Sequence, residues 1–203
     1  MRITLTNTGK RYNHELIFRN VNYVFSPGKS YAITGPNGSG KSTLLQVIGG
    51  ALLHNEGKVT YEMNEQVKDA SQHFTHVSIA APYLELVEEL TANEILGFHK
   101  QFKSLSLSIK DVLEIVGLSN AANKQLRYYS SGMKQRLKLA QAFFSDTKIL
   151  LLDEPVTNLD DVGIELYKQL IRDHTKDRIV IVSSNDKQEY DFCEEVINIS
   201  AYK

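Results

Sequence analysis

Two kinds of apolar pattern alternate along the chain. Short runs such as "SYAIT" (30–34), "HVSIAA" (76–81), "KILLLDEP" (148–155) and "DRIVIVSS" (177–184) are nearly continuous in aliphatic residues and bounded by charge, glycine or proline. That is the pattern of strands buried on both faces. Between them, "KSTLLQVIGG" (41–50), "ELVEELTANEILGFHKQF" (85–102), "SIKDVLEIVGL" (108–118), "SSGMKQRLKLAQAFF" (130–144) and "DDVGIELYKQLIRDH" (160–174) carry apolar residues at helical spacing. In the fourth of these, Met133, Leu137, Ala140 and Phe144 fall on one face. Residues 83–130 read as mostly helical. The first 34 residues read as strands: "RITLTN" alternates, "LIFRNVNYVF" is β-rich, and "PGK" turns the chain before "SYAIT". "NEGKVTYE" reads as a turn and a further strand. Strands alternating with helices predict an α/β fold with a parallel sheet. The chain has no internal repeat and no low-complexity linker.

One interruption of this pattern carries chemistry. "GPNGSGKST", Gly35 to Thr43, lies between an apolar strand and a helix and fits G-x-x-x-x-G-K-[ST]. Its glycines let backbone N–H groups curl round a phosphate, and the helix N-terminus adds partial positive charge. Lys41 is placed to reach the β- and γ-phosphates, and the Ser42 hydroxyl to hold Mg²⁺. A second site should supply carboxylates. "ILLLDEP" ends an apolar strand with Asp153, suited to orienting Mg²⁺ or its waters, and Glu154, suited to polarising an attacking water as general base.

Composition narrows the partners. The formal net charge is −1 over 203 residues, so no basic excess points to direct nucleic-acid binding. A single cysteine, Cys193, excludes an internal disulfide framework and reads as a buried structural thiol in a reducing compartment. The N-terminus lacks the apolar core of a signal peptide, and no run approaches the roughly 18 apolar residues of a bilayer span. A cytoplasmic chain is expected, meeting a membrane only through a partner.

"YSSGMKQR", Tyr129 to Arg136, a little over twenty residues before Asp153, resembles the signature of ABC-type ATPases, usually written L-S-G-G-Q. Nearly the whole chain shares the likeness. The resemblance implies one ABC ATPase domain over residues 1–203: a P-loop NTPase core, an antiparallel β subdomain from residues 1–30 and about 55–80, and an inserted helical subdomain at about 83–130. It implies ATP held by Gly35, Pro36, Asn37, Gly38, Ser39, Gly40, Lys41, Ser42 and Thr43, with Mg²⁺ on Ser42 and Asp153. It also implies a head-to-tail dimer in which Ser130, Ser131 and Gly132 meet the γ-phosphate held by the partner. Independently, Ser130 and Gly132 open the "MKQRLKLAQAFF" helix, where free N–H groups make an anion site and a serine is also an ordinary N-cap. Tyr12 matches the family's adenine-stacking aromatic, although a tyrosine on a strand also packs. "VTNLDD" resembles the D-loop, with Asp160 as its acid; Asn158 or Asp160 also suits a helix cap.

The match has gaps. Where the family has a glutamine that touches Mg²⁺ and the attacking water, this chain has Ala81 or Pro82, and Gln72 is too early to serve. Where it has a histidine after the last core strand, this chain has Asn185, which donates a hydrogen bond to phosphate but does not shuttle a proton near neutral pH. Met133 replaces the signature glutamine. The expected function is an ATP-hydrolysing subunit of a membrane transporter, slowed by these losses, working as a homodimer or with a paired ABC subunit. A separate permease would dock around residues 81–105, where Tyr83, Leu84, Leu86 and Phe98 stand. The other expectation is an ATP-gated dimerising or regulatory module with little or no hydrolysis. Cargo is not encoded here, because specificity belongs to the membrane subunit.

Overall fold

The computed structural model describes residues 1–63, 66–68 and 73–203. β1 (Arg2–Tyr12), β2 (Glu15–Phe25), β4 (Glu56–Met63) and β5 (Gln66–Lys68) form an antiparallel sheet in the order β2-β1-β4-β5. A second sheet, all parallel, has the order β6-β7-β8-β3-β9, from β3 (Ser30–Thr34), β6 (Val77–Ala80), β7 (Ile149–Asp153), β8 (Ile179–Ser183) and β9 (Glu195–Asn198). The helices are α1 (Lys41–Ile48), α2 (Ala92–Lys100), α3 (Ile109–Ile115), α4 (Ser131–Phe144), α5 (Asp161–His174) and α6 (Lys187–Tyr190).

The central strands are apolar throughout because each side of the parallel sheet covers a different core. Leu150, Leu152, Val180 and Val182 face a cluster built with α2 to α5. Their neighbours Ile149, Leu151, Ile179 and Ile181 face one built with α1 and the antiparallel sheet. Period-two alternation thus sorts one continuous run into two interiors. Arg178 crosses the end of this sheet, only 7% exposed. Its guanidinium donates to Ser78 Oγ (2.7 Å), Thr147 Oγ1 (2.7 Å) and the Phe143 carbonyl (2.9 Å), joining three segments around β6 and β7.

Three sequence expectations change. The stretch 85–91 is not helical. The Glu94 amide donates to Thr91 Oγ1 and Glu94 Oε2 accepts from the Thr91 amide, a capping box that starts α2 at Ala92. The backbone before it is tied elsewhere: the Leu126 and Arg127 amides donate to the Leu90 and Glu88 carbonyls. Second, β6 lies within the span read as antiparallel β, about 55–80, yet it pairs in parallel with β7. Part of that span, and Gln72, lie outside the described residues. Third, the apolar face of α4 is wider than the stripe read from the sequence: Gln135, Leu139, Ala142 and Phe143 are buried as well, while Met133 is only partly covered. Cys193 is half-buried and free, and burial pushes its thiol up to about 12, consistent with an inert packing role.

Candidate functional site

The carboxyl ends of β3, β7 and β8 meet at one edge of the parallel sheet. The Glu154 amide donates to the Ser183 carbonyl (2.9 Å) and the Ser184 amide to the Ile33 carbonyl (3.1 Å), which locks the three strand ends together. The glycine loop leaves β3 at this edge. Gly35 (φ +145°) and Gly40 (φ +102°) adopt backbone that side chains resist, and a Cβ at either would stand 2.7 Å or 2.5 Å from Ile199 or Ile17. Ser39 is buried, and its Oγ has no hydrogen-bond partner. Lys41 is 5% exposed, and its ammonium donates to the Gly35 (2.9 Å) and Pro36 (3.2 Å) carbonyls. Ser42 and Thr43 follow Lys41 in the first turn of α1, where the backbone amides have no intrahelical acceptor, and Gly40 caps the helix without a side chain. A cavity of about 230 Å³ opens here, lined by Asn37, Gly38, Gly40, Lys41, Ser42 and Thr43, together with Ile17 and Glu154.

Asp153 ends β7 at 2% exposure. Burial raises its carboxyl, Glu154 raises it further, and the Ser42 and Ser183 hydroxyls and Lys41 pull it back. Its Oδ1 is buried with no hydrogen-bond partner. A buried carboxylate oxygen without a donor, beside a serine hydroxyl, is a hard-oxygen donor set that fits Mg²⁺. Glu154 is next, at φ +43°. A non-glycine residue in the left-handed region costs energy and marks a site where the surroundings fix one side-chain direction. Glu154 faces both the loop cavity and an adjoining one of about 360 Å³, shared with Asn37, Thr157, Asn185 and Glu189. Asn185 follows β8, and its amide donates to Asn37 Oδ1 (2.7 Å), so residue 185 does sit against the glycine loop.

The remaining candidates lie apart from this cluster. Tyr12 is 46% exposed at the end of β1, with the Lys10 ammonium 4.9 Å from its ring centre. It does not line the loop cavity; Ile17, across the β1–β2 turn, does. Ser130 caps α4 by accepting from the Met133 amide (3.2 Å). Ser131 is exposed beside it, and a Cβ on Gly132 would stand 3.0 Å from the Asn158 carbonyl. Asp160 caps α5 by accepting from the Gly163 amide (2.9 Å), and also pairs with Arg136 at 3.0 Å. Ala81 is fully buried, and the Lys138 ammonium donates to the Ala81 (3.3 Å) and Pro82 (3.0 Å) carbonyls.

Two residues of the site had no sequence signal. Ile17 reads only as a strand apolar. Glu189, on a helix too short to show periodicity, is 3% exposed and accepts from the Val156 amide (2.8 Å), anchoring the segment after Glu154.

The ABC transporter family model matches residues 18–157. An uncharacterised ABC transporter ATP-binding protein of Bacillus subtilis, YxlF, is 33% identical over 201 residues, covering 96% of this chain and 66% of the relative. The chain thus spans just under two thirds of that relative's length. The cytochrome c biogenesis ATP-binding export protein CcmA of Rhizobium etli is 33% identical over 192 residues, covering 91% of this chain and 88% of the relative. In structure, a putative ABC transporter ATP-binding protein from Pyrococcus furiosus superposes with a TM-score of 0.83 at 19% identity, covering all of both chains.

Proposed function

The chain belongs to the ABC transporter family as an ATP-binding subunit, and from that premise we propose that residues 1–203 work as one ATPase unit that powers a membrane transporter through a head-to-tail dimer. The observation that carries this reading is the meeting of Lys41, Ser42, Asp153, Glu154 and Asn185 at one sheet edge, around two adjoining cavities. No helix among the described residues is long and apolar enough to cross a membrane; in this reading a permease would supply the transport path. The chain would sit in the cytoplasm, held to the inner face of the membrane by that permease.

ATP would bind with its phosphates over the loop amides and the α1 N-terminus. Lys41 would exchange its two loop carbonyls for phosphate oxygens, and Tyr12 is the proposed face for adenine. Ser42 and Asp153 would hold Mg²⁺, which would supply charge neutralisation for the phosphates. Glu154 would accept a proton from the attacking water, and Asn185, held by Asn37, would donate to the γ-phosphate. Ser130, Ser131 and Gly132 of the second copy would close the site with amides and a hydroxyl, and Asp160 would stand at the seam. A groove of about 340 Å³ beyond β6, walled by Leu84, Leu86, Val87, Ile95, Phe98 and Phe102, supports docking of an apolar permease segment there. Phe98 and Phe102 are each 63% exposed, with ring centres 5.1 Å apart.

The test is phosphate release with its permease present, compared with Glu154→Gln, alongside ATP-dependent dimerisation by size-exclusion chromatography. The variant should release none and should be trapped as an ATP-bound dimer. A wild-type chain that dimerises on ATP but releases no more phosphate than the variant would make it an ATP-gated module.

A further inference from the structure

The peptide between Pro155 and Val156 comes directly after Glu154, and buried side chains hold both of its polar ends. Its carbonyl accepts from Gln135 Nε2 on α4 (2.7 Å). Its amide donates to Glu189 Oε1 on α6 (2.8 Å). A planar trans peptide points its C=O and N–H in opposite directions, so the two side chains grip it from opposite sides. Gln135 and Glu189 are each only 3% exposed. Pro155 has no N–H, so the first backbone donor after Glu154 is the Val156 amide that Glu189 holds. Glu189 is itself braced: its amide donates to the Asp186 carbonyl (3.0 Å), and its carbonyl accepts from the Tyr167 hydroxyl on α5 (2.7 Å).

This grip falls where the backbone needs it. Glu154 stands at φ +43°, a conformation that persists only where the surroundings over-determine it. The Glu154 amide is tied to the Ser183 carbonyl, and the Glu154 carbonyl accepts from the Thr157 amide (3.2 Å), closing a turn around the gripped peptide. The sense of the grip is fixed as well. Gln135 presents a donor and Glu189 an acceptor, so a flipped peptide would set its carbonyl against the Glu189 carboxyl. We propose that Gln135 and Glu189 are positioning residues for Glu154: by holding the Pro155–Val156 peptide from both sides, they fix the direction in which the Glu154 carboxylate enters the two cavities. The inference rests on the ATPase reading above. It also places the base and the Ser130 cap on one mechanical line, because Gln135 belongs to the helix that Ser130 begins. The same helix pairs Arg136 with Asp160, five residues beyond the gripped carbonyl.

The experiment compares wild type, Gln135→Met, Glu189→Ala, Glu189→Gln and the Gln135→Met/Glu189→Ala double variant, each with its permease. The readouts are kcat and KM for phosphate release, affinity for a fluorescent N-methylanthraniloyl ATP, and the thermal midpoint. Gln135→Met and Glu189→Ala should each lose roughly 10–100-fold in kcat, as a misdirected base does, with KM and ATP affinity near wild type. Glu189→Gln should keep most of kcat, because its amide oxygen still accepts from Val156. The double variant should be no slower than the slower single one, since both changes release the same peptide. Gln135→Met keeps the side-chain volume, so its kcat decides the question even where Glu189→Ala melts too low to assay. Losses that multiply in the double variant, unchanged kcat in Gln135→Met, or ATP affinity falling together with the midpoint would overturn the inference and leave the ATPase reading intact. A wild type that releases no more phosphate than Glu154→Gln would overturn the ATPase reading, and this inference with it.

Discussion

Asp153 is held against its own solvation. Burial raises its carboxyl, so the folded chain binds that proton more tightly than the unfolded chain does. Stability therefore falls as pH rises through the window between the ordinary and the raised value, and the full cost is present above that window. Asp153→Asn should raise the nucleotide-free melting midpoint at pH 7, with the gain shrinking toward acid pH, while abolishing any Mg²⁺-dependent gain in ATP affinity; melting curves across pH with and without Mg-ATP check both. Asn185 makes the opposite case. Its contact with Asn37 is a neutral bond at the surface, so Asn185→Ala should cost little stability but about tenfold or more in phosphate release, read as kcat at saturating ATP. At this scale the site was legible wherever chemistry demands a residue type at fixed spacing: Gly35 to Thr43, and the Asp153–Glu154 pair. Ile17 and Glu189 were not, because a contact made across a turn or between distant elements leaves no periodic trace in sequence.

Among the elements, α4 carries the test of the proposed head-to-tail dimer. It begins at the Ser130 cap and packs its long apolar face under β6 and β7. Ser130→Ala should lose about 1 kcal/mol of stability through the cap alone. If Ser130 also meets a second copy's phosphate, the variant should abolish ATP-dependent dimerisation far beyond that loss, whereas Ser130→Asp should keep the cap and still lose the dimer. Denaturant titration and size exclusion separate the two effects. The apolar runs identified β3, β6, β7 and β8 because burial on both faces makes them continuous. The segment 85–91 misled because its Leu and Val spacing suits a helix, while the capping box and the backbone bonds to 126–127 settle otherwise. Hydrogen bonds that reach across about forty residues do not register in a local pattern.

For the whole molecule, the parallel sheet stands between the two interiors, and Arg178 ties that sheet's end to α4 and β6. Arg178→Met should cost about 2–4 kcal/mol, since the Ser78 and Thr147 hydroxyls and the Phe143 carbonyl lose a charged donor in a buried place. Phe98→Ser with Phe102→Ser should leave ATP binding and melting near wild type but prevent co-purification with the permease from detergent-solubilised membranes. The strand order has a consequence for synthesis. β3, which launches the glycine loop, is flanked by β8 and β9, which follow every other described strand in sequence. As the chain leaves the ribosome, the antiparallel sheet can zip from its own neighbours, while the strand beneath the loop waits about 150 residues for its ladder partners. A nascent chain stopped before β8 would therefore present the complete glycine motif and still have no nucleotide pocket, making ATP capture a late event in the birth of the protein.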